Sequence, residues 1–370
     1  MKIEQLISKN LKNYIKYTAG APVSDLKDRL NLDEQAIIKL DANENVFIDP
    51  EWVRERLSEA IQACNVTLYP DILYTDARIA LGNYLGIKPD QILLGNGSDD
   101  LLDVIAHAFL DNTSELISVE PCFLMYEFFT KILGAKYVVS LLDENFDINA
   151  EKILASINKN TKVILLASPN NPTGNQYSTE KLRTIVESTD KIVVIDEAYV
   201  DFADFHLLDW IKKYDNLIIT RTFSKSWGLA GLRVGYAVSN PEMIQFLKNV
   251  QKPYTLNAIG EAIIPIIIKS IKYIDETIET VKKERKWLEA AYKTMEKIRV
   301  YPSVTNFFLL RILKKNITIN KLIEQLNTKG IFIRDQSTKP LLQNCVRITV
   351  GTRTMNEIVI EALKKILGEI

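Results

Sequence analysis

The sequence contains few of the residues that mark disulfide-rich, metal-binding or serine–histidine sites. Its 370 residues include three cysteines and two histidines. Cys64, Cys122 and Cys345 are widely separated and form no Cys-x-x-Cys pair, so neither a disulfide framework nor a zinc site is indicated. His107 and His206 leave little scope for a His-rich metal centre or a catalytic triad. We therefore expect a reducing, cytoplasmic compartment and no metal ion in the functional site.

An excess of one charge and a long apolar run are also missing. The chain has 46 basic and 47 acidic residues, a formal net charge of −1, which argues against a nucleic-acid or membrane-surface partner. The apolar run at residues 262–268 contains Pro265 and is too short to cross a bilayer. Residues 1–17 are interrupted by lysines and lack the apolar core of a secretory signal. Their apolar residues recur at helical spacing, which predicts an amphipathic N-terminal helix.

From about residue 75 onward, apolar strands alternate with amphipathic helices. This pattern predicts an α/β fold with a mostly parallel sheet between helices. Beyond Pro253 a long helical stretch, from residue 258 to about residue 297, is followed by shorter elements that predict a smaller α+β domain. We expect an N-terminal arm and small-domain segment at 1–45, a large domain at 46–255, and a bridging helix with a small C-terminal domain at 256–370.

Three polar loops follow predicted strands, at the sheet edge where open α/β folds carry their functional groups. Residues 95–100 open a helix at Ser98 and Asp99, which is typical either of a phosphate site or of an ordinary helix N-cap. Residues 168–174 carry Asn171, whose amide is a candidate donor to a bound ring. Asp196 ends an apolar strand and Tyr199 follows it; a buried acid there needs a partner, such as a pyridine nitrogen.

A fourth loop, residues 221–236, combines hydroxyls, glycines, a lysine and a distal arginine. Lys225 follows a buried strand and is flanked by hydroxyls, which makes it a candidate covalent nucleophile. Ser224 and Arg233 are suited to holding a phosphate. A lone Ser-Lys more often marks a surface loop, but here an asparagine and a strand-end acid with a tyrosine three residues later precede it. This order predicts an enzyme that uses pyridoxal phosphate.

These motifs give the chain a family resemblance. It resembles the pyridoxal phosphate-dependent aminotransferases of fold type I and, within them, the histidinol-phosphate aminotransferase branch. The matching motifs run almost end to end, at residues 39–45, 69–71, 97–99, 125–128, 168–174, 196–199, 221–236, 252–254, 305–307 and 346–352. The sequence departs from the family pattern at Ile72, Asp100 and Cys122, where proline, glutamate and threonine are usual. These departures concern loop details.

The resemblance implies the reaction and the residues that carry it. The enzyme would transfer the amino group of histidinol phosphate to 2-oxoglutarate, giving imidazole acetol phosphate and glutamate in histidine biosynthesis. Lys225 would bond to pyridoxal 5′-phosphate and move the substrate proton. The cofactor ring would be held by Asp196, Tyr199, Asn171 and Phe123, although Phe123 is also compatible with plain helix core.

The resemblance further implies a phosphate site and a shared dimer interface. The cofactor phosphate would be held by Ser98, Asp99, Ser224 and Arg233, and by Tyr69 of a neighbouring subunit, so a homodimer is expected. Arg347, Arg334 and Tyr17 would bind the anionic part of the substrate. Surface salt bridging is the alternative reading for both arginines.

Other functions stay open from the sequence alone. An aromatic amino acid aminotransferase and a threonine-phosphate decarboxylase would use nearly the same scaffold. A non-catalytic protein that binds the cofactor as a regulator is a different class. Against it stand the intact Lys225, Asp196 and Tyr199, and the absence of a basic excess.

Overall fold

The computed structural model describes residues 6–11, 22–30 and 36–369, and it alternates helices with strands. The helices are α1 (Val23–Leu30), α2 (Pro50–Ala63), α3 (Thr75–Leu85), α4 (Ser98–Phe109), α5 (Met125–Ile132), α6 (Ala150–Ala155), α7 (Thr179–Glu187), α8 (Pro241–Val250), α9 (Ala258–Lys269), α10 (Ile271–Lys293), α11 (Ile319–Asn327) and α12 (Arg353–Leu367). The strands are β1 (Ile38–Lys39), β2 (Ile92–Gly95), β3 (Glu115–Glu120), β4 (Lys136–Leu141), β5 (Thr161–Ala167), β6 (Ile192–Asp196), β7 (Leu217–Thr222), β8 (Gly235–Val238), β9 (Ile298–Val300), β10 (Phe307–Ile312), β11 (Ile331–Phe332), β12 (Arg334–Asp335) and β13 (Cys345–Thr349).

A seven-stranded sheet forms the larger layer, with strand order β2-β8-β7-β6-β5-β3-β4. Only β8 runs antiparallel to its neighbours β2 and β7, and the other pairs are parallel. Every residue of β2, β7 and β8 is buried, so both faces of the sheet are covered. The predicted α/β fold with a mostly parallel sheet is confirmed.

Helix starts in this layer follow local capping chemistry. Asp49 precedes α2, its carboxylate accepts from the Glu51 amide, and Pro50 stands at the first helical position. The side chains of Ser178 and Asn240 accept from backbone amides in the first turns of α7 and α8 in the same way. These caps fix where each helix begins, and hence how long each loop before it is.

A second group of elements packs around its own hydrophobic cluster. The strands β12-β13-β10-β9 form an antiparallel sheet, and β1 pairs in parallel with β11. Helix α10 joins the two parts: Ile274 and Val281 belong to the large cluster, and Leu288 and Tyr292 to the smaller one. Helix α9 packs within the large cluster. The domain limits at residues 45 and 255 stay a prediction.

The structure differs from the sequence expectations at several boundaries. The helical stretch of residues 258–297 is two helices, because Ser270 leaves helical geometry (φ −100°, ψ 21°) and its amide bonds to Ile267. Helix α5 begins at Met125, so Phe123, for which helix core was the alternative, lies before the helix. Strand β8 begins at Gly235, inside the loop that the sequence predicts for residues 221–236, because the glycines in that range favour a loop. Most of the N-terminal helix predicted for residues 1–17 lies outside the described residues, which show only a short 3₁₀ turn at Lys9–Leu11.

No helix within the described ranges is long and apolar enough to cross a membrane.

Candidate active site

The carboxyl ends of β2, β5, β6 and β7 lie at one edge of the large sheet, because these strands run in the same direction. The loops that follow them surround a cavity of about 380 Å³, which the small antiparallel sheet covers from the other side. The residues predicted from sequence that line this cavity are Ser98, Asp99, Phe123, Asn171, Asp196, Tyr199, Ser224, Lys225, Arg233, Arg334 and Arg347. The structure thus brings into one place side chains that are up to 249 positions apart (347 − 98).

Asp196 is a buried carboxylate at the end of β6, with 5% of its surface exposed. Its Oδ2 accepts a hydrogen bond from Tyr126 over 2.7 Å, and its Oδ1 accepts from Thr220 and from the Ala198 amide. Burial raises the pKa of Asp196 to about 6, although these hydrogen bonds act in the opposite direction. Among the residues that the structure describes, no basic side chain forms an ion pair with it. It is therefore suited to pairing with a cationic ligand group.

Lys225 and Tyr199 share the cavity with a three-residue segment, residues 41–43. The Lys225 Nζ donates to the carbonyl of Ala42 over 3.1 Å and lies 5.7 Å from the centre of the Tyr199 ring. Asn43 donates to the Tyr199 hydroxyl over 2.9 Å, and its own amide donates to the Thr349 hydroxyl. Since Tyr199 accepts this bond, its own proton is available to a ligand. The amine of Lys225 lies within reach of the same space.

A cluster of donors lies at the amino end of α4. Arg233 donates to the Ser224 hydroxyl over 3.3 Å, and its Nη2 lies 3.2 Å from the Asp99 carboxylate. A Cβ at Gly97 (φ +89°) would stand 2.7 Å from that guanidinium, so only glycine permits the approach. Gly97 provides no side-chain cap for α4, so the backbone amides of its first turn are donors available at the same helix end. This set of groups can bind a phosphate, provided that Asp99 moves its carboxylate aside.

Two arginines lie on adjacent strands of the small sheet. Arg334 on β12 stands directly opposite Arg347 on β13. Arg347 is buried, and its two terminal nitrogens donate to Asn171 Oδ1 over 2.6 Å and to the Asp41 carbonyl over 2.7 Å. Because Asn171 uses its oxygen for Arg347, its amide nitrogen remains a donor toward the cavity. The pair of guanidinium groups can bind a carboxylate or a phosphate.

The remaining predicted residues lie at the edge of the site or beyond it. Phe123 lines the cavity and meets Tyr126 edge-on at 5.7 Å, so it is not part of a helix core. Tyr69 does not line the cavity of its own chain; it is 81% exposed and stacks on Tyr254. Tyr17 lies outside the described residues.

Sequence reasoning missed four residues that contact the site. Tyr126 and Thr220 hold Asp196, Asn43 holds Tyr199, and Lys339 lies on the cavity wall. Tyr126 and Asn43 stand in motifs that were recognised, but nothing in one sequence separates their contacts from ordinary packing. Lys339 lies in a polar loop without any motif.

Comparison with known proteins decides the family. The model of the family described as "Aminotransferase class I and II" matches residues 35–363 of this chain. The chain belongs to this aminotransferase family. The match spans all thirteen strands of the described chain, including β6 and β13, which carry Asp196 and Arg347, and the loop after β7, which carries Lys225.

Relatives in this aminotransferase family cover nearly the whole chain. The histidinol-phosphate aminotransferase of Clostridium novyi is 36% identical over 363 residues, which are 98% of this chain and 97% of the relative. The crystal structure of the histidinol-phosphate aminotransferase from Clostridium acetobutylicum is similar, with a TM-score of 0.83, 28% identity, and coverage of 90% of this chain and 100% of that chain. The crystal structure of L-threonine-O-3-phosphate decarboxylase from Porphyromonas gingivalis has a TM-score of 0.78 and 25% identity, covering 90% of this chain and 100% of that chain.

Proposed function

We propose that this aminotransferase transfers the amino group of histidinol phosphate to 2-oxoglutarate, with pyridoxal 5′-phosphate as cofactor. The observation that carries the proposal is the single cavity that Lys225, the buried Asp196 and the arginine pair Arg334 and Arg347 share. The relatives named histidinol-phosphate aminotransferase at 36% identity over nearly the whole chain support this substrate over others. The reaction belongs to histidine biosynthesis.

The groups around the cavity fit pyridoxal 5′-phosphate. Asp196 is a buried acid without a cationic partner among the described residues, as a protonated ring nitrogen requires. Ser224, Arg233 and the first turn of α4 offer donors for the phosphate, and Gly97 keeps their approach open. Tyr199 and the Asn171 amide would donate to the ring oxygen, and Phe123 would stack on the ring. When bound, the cofactor stabilises negative charge that develops at the substrate α-carbon.

Lys225 is the residue that would bond to the cofactor and move the proton. Its Nζ lies on the cavity wall, held by the Ala42 carbonyl at 3.1 Å. The substrate amine would displace Lys225 from the cofactor, and the freed amine would then carry the proton from the substrate α-carbon to the cofactor carbon that had borne the lysine. The hydroxyl of Tyr199 stays oriented by Asn43 meanwhile.

Arg334 and Arg347 would bind the anionic end of each substrate. Two guanidinium groups on neighbouring strands offer several parallel donors, which suits a phosphate or a carboxylate. Arg347 also contacts Asn171, a residue of the ring site. A substrate anion bound to Arg347 would therefore be placed at a defined distance from the reacting α-carbon. Tyr17 is proposed to join this site, as the family resemblance implies.

We propose a homodimer in which Tyr69 completes the partner's site. Tyr69 is 81% exposed and does not line the cavity of its own chain. It lies in a segment with the exposed apolar residues Val66, Leu68 and Ile72, which is an unusual concentration for a monomer. Burying this segment against a second copy would bring Tyr69 to that copy's phosphate site.

We place the enzyme in the cytoplasm in this proposal, because its three cysteines are free thiols in the structure.

A phosphothreonine decarboxylase is the second candidate function. It is favoured by the similarity to the Porphyromonas gingivalis decarboxylase, which has a TM-score of 0.78. Both reactions need the same cofactor and an anion site for a phosphate ester, so the cavity suits both. They differ in which bond to the α-carbon breaks.

The experiment that separates these functions is a product assay with purified enzyme and pyridoxal 5′-phosphate. Histidinol phosphate, phenylalanine and threonine phosphate are offered in turn, the first two with 2-oxoglutarate. Glutamate formation that is fastest with histidinol phosphate supports the proposal. Faster glutamate formation with phenylalanine would select an aromatic aminotransferase, and CO2 release from threonine phosphate would select the decarboxylase.

A further inference from the structure

Lys339 is a cation on the cavity wall to which the proposed reaction gives no role. It lies in the loop between β12 and β13, and it lines the same cavity as Arg334 and Arg347. Its Nζ donates to the backbone carbonyl of Cys122, the residue before Phe123. The amine therefore contacts the segment that leads to Phe123 and lines the same cavity as the arginine pair.

The charge of Lys339 is poorly compensated by the protein. Within the described part of the chain, no carboxylate lies within ion-pair distance of its amine. The charged and titratable groups that face it are Glu120, Cys122, Arg334 and Arg347, and the two arginines repel it. Burial lowers the pKa of Lys339 to about 8, so the amine is still mostly protonated at neutral pH. A partly desolvated cation beside two others is costly unless an anion joins them.

We propose that Lys339 is a third cationic contact for the phosphate group of the substrate and makes the pocket selective for phosphate esters over monocarboxylates. This inference rests on the proposed function and names a residue that determines its specificity. A phosphate ester carries up to two negative charges and three acceptor oxygens, whereas a carboxylate has one charge and two oxygens. Two arginines satisfy a carboxylate, and a third cation is matched only by the more highly charged group.

The position of Lys339 is also compatible with a purely structural role. Its hydrogen bond to Cys122 links the loop of residues 336–344 to the segment before α5, and so joins the two parts of the structure. A structural link of this kind would matter equally for every substrate. Lys339→Gln separates the two roles, because glutamine retains an N–H donor for a carbonyl and lacks the charge.

The test compares holoenzymes of the wild type, Lys339→Gln, Lys339→Arg and Lys314→Gln. Lys314 is the matched control, because its Nζ also donates to a backbone carbonyl, that of Ile366 over 3.0 Å, and it does not line the cavity. For each protein, kcat/KM is measured with histidinol phosphate and with phenylalanine. Binding of inorganic phosphate to each holoenzyme is measured by calorimetry with the cofactor site saturated, so that phosphate reports the substrate side of the cavity.

The proposal predicts that Lys339→Gln lowers kcat/KM for histidinol phosphate by about tenfold or more, the usual size of one charge-assisted hydrogen bond. The value for phenylalanine should change by less than about twofold. Phosphate should bind Lys339→Gln several-fold more weakly, Lys339→Arg should recover most of both losses, and Lys314→Gln should behave as the wild type. Affinity of the wild type for phosphate should also weaken above pH 8, and this loss should be smaller in Lys339→Arg.

Two results would overturn the inference. An equal loss for both substrates, or unchanged phosphate binding in Lys339→Gln, would make Lys339 a structural link. A wild type that does not use histidinol phosphate would instead refute the proposed function. In that case the calorimetric comparison of wild type and Lys339→Gln still decides whether Lys339 binds a phosphate group.

Discussion

The hydroxyl of Tyr126 donates a hydrogen bond to Asp196 Oδ2 over 2.7 Å, inside a wholly buried environment. Burial alone disfavours the ionised carboxylate, and this bond counteracts that effect, so the pKa of Asp196 is about 6 and not higher. Asp196 is therefore ionised at neutral pH even though it is buried. An ionised acid at this place is what a protonated ring nitrogen of the proposed cofactor needs.

Tyr126→Phe is predicted to raise the pKa of Asp196 further. Pyridoxal 5′-phosphate would then bind less well at mildly acidic pH, since the neutral carboxyl cannot pair with the ring nitrogen. The pH below which affinity falls should move up by about one unit, the size of one hydrogen bond to a charged group. Fluorescence titration of the cofactor-free proteins across pH 5–8 measures this shift. Tyr177→Phe is the control, because Tyr177 is equally buried and its hydroxyl has no hydrogen-bond partner among the described residues. An equal shift there would show that the bond from Tyr126 is not the cause.

Asp196→Asn is predicted to stabilise the cofactor-free protein at neutral pH while abolishing activity. The folded-state pKa is raised above the unfolded value, so the folded protein holds the proton more tightly, and its stability falls as pH rises from about 4 to about 6. Removing the ionisable group removes that loss. We expect a gain of about 1–3 kcal/mol in the free energy of unfolding at pH 7.5. The gain in the free energy of unfolding should be smaller at pH 5, and urea denaturation at pH 5 and pH 7.5 measures both gains. An equal gain at the two pH values would show that ionisation of Asp196 is not its cause.

Arg347→Lys is predicted to lower kcat/KM by about a hundredfold with both glutamate and histidinol phosphate. A lysine has one ammonium group and cannot replace the contacts of two guanidinium nitrogens with Asn171 and the Asp41 carbonyl while also holding an anion. The measurement is the steady-state kcat/KM for each of the two substrates. Arg353→Lys serves as the control, because its guanidinium pairs with Glu284 at the surface. A loss confined to one of the two substrates would show that Arg347 does not serve both anions.

Tyr69→Ala and Lys225→Ala are each predicted to be nearly inactive, and their mixture is predicted to regain activity. If Tyr69 serves the partner's site, a hybrid dimer has one site with both substitutions and one site with neither. Random exchange of subunits would leave about a quarter of all sites intact. Activity after mixing and mild unfolding and refolding reports this fraction. If the mixture is as inactive as its two components, Tyr69 serves the site of its own chain or no active site at all.

Most of the fold could be predicted because strands and helices follow local periodicity. The cavity could be predicted in outline, since Asn171, Asp196 and Lys225 each follow a predicted strand, and such loops meet at one sheet edge. The contacts that orient those residues could not. Asn43 reaches Tyr199 across 156 positions, and Lys339 reaches Cys122 across 217. Such contacts depend on how the two sheets pack, for which a single sequence has no periodic signal.

Some predicted ends of helices and strands were wrong, also for a physical reason. Ser270 interrupts a stretch that is helical on both sides, and one residue outside helical geometry changes no periodicity. Gly235 begins the buried strand β8, although the glycines in residues 221–236 predict a loop there. In both places the tertiary structure overrides the local preference.

In the proposed mechanism Lys225 bonds to the cofactor, and histidinol phosphate displaces the lysine. A decisive measurement is the visible absorbance of the purified holoenzyme as histidinol phosphate is added without 2-oxoglutarate, with Lys225→Ala as the control. We expect the absorbance band of the lysine-bound cofactor to disappear in the wild type and to return on addition of 2-oxoglutarate, whereas Lys225→Ala neither forms this band nor completes the cycle. A wild-type band that is absent, or that histidinol phosphate leaves unchanged while another amino donor removes it, would show that the mechanism or the substrate is wrong.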